Sequence, residues 1–456
     1  MKTPPTPLAL LLASLILTGA SDALALDVAP SDTNIQYEGR WDHTNPAQPT
    51  TSWGHGFRLW FTGTSISVKM SNAADMYYEY SVDGAPFQTV SSAAPMTYSV
   101  ASGLGAGSHS LVFRRRLEGS YGLCTFQGIV IDDGAMLEAP HAPPSLRLEF
   151  IGDSITAGFG SEGQQTITTN NINVTWAARV TEKLGAQRNT VARSGIAVSG
   201  MIGAELQMRD RYVDTHFSWN GANPTWDFSS YIPDAVFILL GTNDYIYLTP
   251  VDGAKFKAAY SALINTVRGN YANAEIFAVN VVQGRTTPEQ KWRDASSNIE
   301  AVVTELNAAG DMNVHFVDPG EGLTGGDFSD TTHPLPPGHE KMAENMLALV
   351  QPIIGSGSGT GIVPGTDGPD GGEPTGSAGG MGVLEEGEAT GGETVSEEGS
   401  ELGTEVLGEP TMGADGGGED SSGCNWSTPE RRRSHGLLAF LLIFGLALVR
   451  RAQRTL

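Results

Sequence analysis

The chain has 456 residues and a net charge of −24, with 40% hydrophobic residues. That length exceeds one ordinary domain and leaves room for two domains plus tails. The charge excludes a nucleic-acid partner, because a phosphate-binding surface needs clustered Lys and Arg.

Lys2, the apolar run Leu8–Leu17 and the small-x-small sequence Ala23-Leu24-Ala25 predict a signal peptide over residues 1–25, and hence export. Residues 27–140 read as strands. Ile66–Met70 alternates apolar and polar positions, as does Tyr78–Val82, which runs into the turn signal Asp83-Gly84. Ser110–Arg114 and Phe126–Ile131 add two more strands, and the whole predicts a β-sandwich of jelly-roll type. Pro140, Pro143 and Pro144 then mark a boundary.

Over residues 146–354 the rhythm changes. Leu146–Ile151, Ala235–Leu240, Glu275–Val281 and Val314–Val317 read as strands. Ala254–Arg268, Glu289–Ala308 and Gly338–Val350 read as amphipathic helices. The alternation predicts an α/β domain with a mostly parallel sheet. Gly355–Gly423 holds fifteen acidic residues and no basic ones, the composition of a disordered, self-repelling linker. It accounts for much of the charge, since the first 354 residues carry only about −14. In residues 424–456, Cys424 precedes the 14-residue apolar run Gly436–Val449, which arginines bracket. As a helix that run spans about 21 Å, short of a hydrocarbon core of about 30 Å. No disulfide is expected between Cys124, in a folded region, and Cys424 beyond the linker.

The chemistry is carried by three short motifs. Gly152-Asp153-Ser154 follows an apolar strand and is expected to open a helix, which exposes the serine and sets its N–H at a positive dipole end. Serine after Asp is also an ordinary N-cap arrangement. Gly241-Thr242-Asn243-Asp244 sits at a strand's carboxyl end, where α/β sheets place ligands, and Asn243 offers an oxyanion donor. In Asp330-Thr331-Thr332-His333, a turn would let Asp330 fix one ring nitrogen of His333 while the other takes a proton from Ser154. His339 is read as part of the last helix. Trp176, Trp219 and Trp226 are read as packing, and the sequon at Asn173 as a chance match. No His/Glu spacing suggests zinc and no Gly-rich loop suggests a nucleotide, so neither metal nor cofactor is called for.

These blocks resemble the SGNH/GDSL hydrolase superfamily. The resemblance implies a three-layer flavodoxin-like domain and an oxyanion hole built from the N–H groups of Ser154 and Gly195 with Asn243. Gly195, in Arg193-Ser194-Gly195, matches the family's glycine block, with Gly200 and Gly203 as neighbouring alternatives. Tyr37-x-Gly39-Arg40-Trp41, Phe61-x-Gly63-Thr64, Val82-Asp83-Gly84, Gly107-x-His109 and the join Glu149–Gly158 extend the similarity to carbohydrate esterase family 2. That family implies an N-terminal jelly roll and removal of acetyl groups from plant cell-wall polysaccharides. Some of its members use a Ser–His pair with a backbone carbonyl as the acid, so Asp330 and a carbonyl are both open as the partner of His333. The C-terminal segment is similar to MYXO-CTERM sorting tails, which implies retention or processing at the cell surface. A plain membrane anchor is the alternative. The function expected is a secreted or surface-attached serine esterase acting on acetylated polysaccharide. A lipase-like esterase for other acyl groups and an inactive surface carbohydrate-binding protein are the rivals.

Overall fold

The structure is a computed structural model, and it describes residues 25–72, 75–200, 207–217, 223–248, 250–283 and 289–355. The predicted signal peptide, almost all of the acidic linker and the C-terminal segment lie outside the described residues, as do Gly203 and Trp219.

The N-terminal part is an all-β sandwich. Strands β1 (Ala25–Val28), β2 (Gln36–Glu38), β3 (Thr50–Thr51), β4 (Gly56–Thr62), β5 (Ile66–Asn72), β6 (Met76–Val82), β7 (Gln88–Ser92), β8 (Met96–Ala101), β9 (Ser108–Arg115) and β10 (Cys124–Asp132) build it. They form two antiparallel sheets, ordered β1-β10-β5-β8 with β3 beside β10, and β2-β4-β9-β6-β7. Alternation places Ile66, Val68 and Met70 of β5 inside, where they meet Phe57, Leu59 and Phe61 of β4 and Phe126 and Ile129 of β10. Cys124 is free and buried in this core.

A parallel sheet follows. Its strands are β11 (Arg147–Gly152), β12 (Gln187–Ala192), β13 (Ala235–Leu239), β14 (Glu275–Val279) and β15 (Val314–Val317), ordered β12-β11-β13-β14-β15. This is the flavodoxin-like order, and it reverses direction between β11 and β13. Because both faces are covered, the strands read as nearly continuous apolar runs. Phe150 and Phe237 face helices α2 (Trp176–Leu184) and α7 (Pro336–Ile354) through Trp176, Val180, Met342 and Met346. Ile151, Val236 and Ile238 face α5 (Gly253–Asn270) and α6 (Gln290–Ala308) through Tyr260, Ile264, Ile299 and Val303. Three shorter helices, α1 (Ser154–Ala157), α3 (Met208–Arg211) and α4 (Thr242–Tyr247), lie in the loops.

Sandwich and α/β part pack as one compact unit. Arg40 of the sandwich is fully buried and reaches Glu149 of β11 at 3.4 Å. It donates through Nη1 to the carbonyls of Tyr212 and Asp214. Its guanidinium lies among the rings of Tyr212, Trp226 and Phe228. Glu149 also accepts from Tyr212 Oη at 2.6 Å and Asn189 Nδ2 at 2.6 Å. Nearby, buried His55 accepts from Arg40 N through Nδ1 at 2.8 Å, and its Nε2 lies 3.3 Å from Thr190 N. Edge strand β12 is therefore covered by the sandwich rather than by helices alone.

Candidate active site

Parallel pairing brings the candidate residues to one end of the sheet. Gly152 pairs with Ala192 on one side and Leu239 on the other. Ser154 follows Gly152 by two residues, Gly195 follows Ala192 by three, and Asn243 follows Leu239 by four. All three thus emerge at the carboxyl ends of adjacent strands, beside the point where the strand order reverses.

Asp153 caps the turn that Ser154 begins, accepting from Ile155 N at 3.0 Å. The expected helix is only the four-residue α1, which Gly158 closes in the left-handed conformation. One turn supplies little macrodipole, so local N–H groups rather than a long helix serve this position. Gly195, at φ 76°, turns the chain sharply just beyond β12. Asn243 Nδ2 donates to Ile196 O at 2.8 Å. That bond uses one of the amide's two N–H groups and leaves the second for another acceptor. Asp244, which the motif alone leaves without a role, ties down the same turn. It accepts from Val198 N at 3.0 Å and from Ser199 N at 2.8 Å.

The loop after β15 returns over the sheet with the remaining pair. Asp330 Oδ1 accepts from the N–H groups of Thr332 and His333, both at 2.6 Å, which folds the segment into an Asx turn. Asp330 Oδ2 lies 2.7 Å from His333 Nδ1, and His333 Nε2 lies 2.9 Å from Ser154 Oγ. The chain Ser154–His333–Asp330 is therefore continuous, and the carboxylate occupies Nδ1. Ser154 and His333 are 3% and 1% exposed, so the proton path is shielded from water. Burial alone would raise the Asp330 carboxyl, but its bonds to His333 and the loop N–H groups hold it below the usual range. Two interdomain clefts of about 700 and 390 Å³ contain none of these five residues, so convergence of side chains, not cavity size, locates the chemistry.

The other residues singled out by the sequence have plain structural duties. His339 lies in α7, and its Nδ1 accepts from Trp176 N at 3.2 Å, capping α2. Trp176 and Trp226 are buried. Asn173 is 8% exposed and donates its amide to Arg115 O at 3.0 Å, so the sequon is engaged in packing.

Burial pushes His55 and His339 down to about 3, and pushes Asp153 up to about 6. Below about pH 6.5 the unfolded chain protonates both histidines while the folded chain leaves them neutral. Stability is thus full above that pH and falls on acidification toward pH 3, by about 1.4 kcal/mol per pH unit for each ring. Asp153 opposes one of them between about pH 6 and 4, because there the folded state binds the extra proton. Urea unfolding at pH 7, 6 and 5 should show stability falling as the pH is lowered, with a slope of about one net proton below pH 6. Stability that stays flat or increases on acidification would contradict the neutral burial of these rings.

A serine, histidine and aspartate in line at the carboxyl end of a flavodoxin-like sheet define a serine hydrolase of the SGNH type. Residues 150–341 match the GDSL-like Lipase/Acylhydrolase family, and residues 37–140 match the Carbohydrate esterase 2 N-terminal domain. The chain is 34% identical to the solved structure of a family two carbohydrate esterase from Clostridium thermocellum in complex with cellohexaose. That match covers 70% of this chain and 98% of that one, with a TM-score of 0.63. The chain belongs to carbohydrate esterase family 2. It is also 36% identical over 339 residues to cellulase/esterase CelE of Acetivibrio thermocellus, covering 72% of this chain but only 40% of that protein's length. It is 24% identical over 291 residues to an acetylxylan esterase / glucomannan deacetylase of Cellvibrio japonicus, covering 59% of this chain and 79% of the relative.

Proposed function

We propose that this chain is an exported serine esterase that removes O-acetyl groups from plant cell-wall polysaccharides such as xylan and glucomannan. The observation that carries the reading is the unbroken contact from Ser154 through His333 to Asp330, within the domain pair of a carbohydrate esterase family. A relative named as an acetylxylan esterase / glucomannan deacetylase supports the substrate class.

In this reading Ser154 Oγ attacks the acetyl carbonyl while His333 Nε2 takes its proton. The N–H groups of Ser154 and Gly195 with Asn243 Nδ2 hold the oxyanion. Collapse breaks the bond to the sugar oxygen, which leaves as the hydroxyl with the proton from His333. Water, activated by His333, then cleaves the acetyl-serine ester and frees acetate. Asp330 stabilises the imidazolium in both halves. Acetate release should be measured across acetylated xylan, acetylated glucomannan and p-nitrophenyl esters of rising chain length. The expected result is release from the glycans with acetyl preferred to butyryl. A preference for octanoyl esters would move the chain to a lipase reading, and binding of the glycans without turnover of any ester to an inactive lectin-like one.

Export and surface attachment rest on the sequence of residues 1–25 and 424–456. Deleting residues 424–456 should move full esterase activity from the envelope fraction to the medium. Retention of the truncated protein at the envelope would overturn the tail's part in this.

A further inference from the structure

The loop from Gly158 to Asn173 joins α1 to α2 and reaches the triad through Asp330. It is fastened to the sandwich along its length. Arg116 O accepts from Ile172 N at 3.0 Å, and Arg116 pairs with Glu162. Tyr121 Oη accepts from Asn170 Nδ2 at 2.6 Å, Glu79 from Asn171 Nδ2 at 3.2 Å, and Arg115 O from Asn173 Nδ2 at 3.0 Å. Within the loop, Asn170 Oδ1 accepts from Gly160 N at 2.7 Å. Gly160 is in the left-handed region at φ 61°, and a Cβ there would approach Gln165 Cγ tightly, at 3.2 Å. The space it leaves admits the stem of Gln165, whose amide Nε2 bonds Asp330 Oδ2. Nε2 also comes within 3.4 Å of His333 Nδ1. An ionised carboxylate can only accept, so the amide must present its N–H to Asp330. Nδ1–H points at the same oxygen, which makes the 3.4 Å approach a contact between two donors sharing one acceptor.

We propose that Gln165 is a positioning residue for the triad: its amide holds the outer oxygen of Asp330 in competition with His333, so a loop anchored on the N-terminal sandwich sets how strongly Asp330 supports the imidazolium. The proposal rests on the serine-esterase reading above. Every donor on Asp330 spreads its charge, and less charge reaches His333. Asp330 on its own loop, Asp153 from the β11–α1 turn and His339 from α7 act on His333 electrostatically. Ser154 meets Nε2, and the Phe159 ring packs on the imidazole at 5.1 Å between centroids. Changing the exposed Gln165 acts on His333 through Asp330, the group its amide bonds.

The test is the acid limb of kcat/KM, which reports protonation of the free enzyme's base. It is measured on p-nitrophenyl acetate at fixed ionic strength for the full chain and two variants. Gln165→Glu removes the donor and adds an anion beside the imidazole, so the limb should move up by about one pH unit. Gln165→Ala removes only the donor, and should move it up by about 0.3–0.5 unit. A uniform fall in kcat with the limb unmoved would show that Gln165 merely packs the loop, and coincident profiles would show that it does nothing to the triad; either overturns the proposal. Parent enzyme without acetyl-ester turnover would instead overturn the esterase reading itself.

Discussion

Ser154→Ala is expected to lower kcat by roughly 10⁵–10⁶ while leaving the fold intact, the loss seen when a serine-hydrolase nucleophile is removed. The substitution deletes one oxygen from a side chain that is 3% exposed, and its Oγ contact is to His333, so no structural bond of the core is lost. His333→Ala should cost about as much, because nucleophile and base act as a unit. Asp330→Asn should cost about 10⁴, since an amide presents the wrong partner to Nδ1–H across the present 2.7 Å contact. Asn243→Ala should cost about 10²–10³, the usual loss for one oxyanion donor. Steady-state kinetics on p-nitrophenyl acetate would rank the four variants, and the order is the informative part. If Asp330→Asn cost less than tenfold, a different acceptor would be orienting His333.

Arg40→Ala should destabilise the protein by about 3–5 kcal/mol. It strands Glu149, 0% exposed, as a buried carboxylate without its cationic partner. It also leaves the Tyr212 and Asp214 carbonyls without their guanidinium donor and empties a cage of three aromatic rings. An ion pair this deep adds little net stability against an apolar pair, but breaking it from one side is costly. Adding Glu149→Gln should therefore recover part of the loss, because the amide keeps an acceptor for Tyr212 without the charge. Chemical denaturation of the single and double variants measures both. A loss below about 1 kcal/mol for Arg40→Ala would mean that water enters the interface and solvates Glu149.

The contact line from Ser154 through His333 to Asp330 was legible in the sequence because each of the three sits in a short motif whose spacing has a local reason. Asp330 reaches His333 through a turn of three residues, and Ser154 and Asn243 follow runs that can only be buried strands. The jelly-roll strands around Ile66–Met70 and Tyr78–Val82 alternate cleanly, and so were readable. Strand β12 was not: Gln187-Arg188-Asn189-Thr190 is polar because Asn189 bonds Glu149 and Thr190 N meets His55 from the sandwich. Helix α2 also escaped, although Trp176, Ala177, Val180 and Leu184 form one buried face. Its nine residues fall between a long loop and an unrecognised strand, and its first N–H is capped by distant His339 rather than by a local side chain. Gln165 and Arg40 carry no local signal at all. Their partners lie 165 and 109 positions away, and only the packing of sandwich on sheet brings them together.

Covalent labelling tests the central claim most directly. A serine-directed fluorophosphonate should add once per chain, on the peptide carrying Ser154, and esterase activity should fall in step with the labelled fraction. Prior addition of acetylated xylan oligosaccharides should slow both together. Full labelling of Ser154 with activity retained, or loss of activity with the label on another residue, would contradict the assignment of Ser154 as the nucleophile.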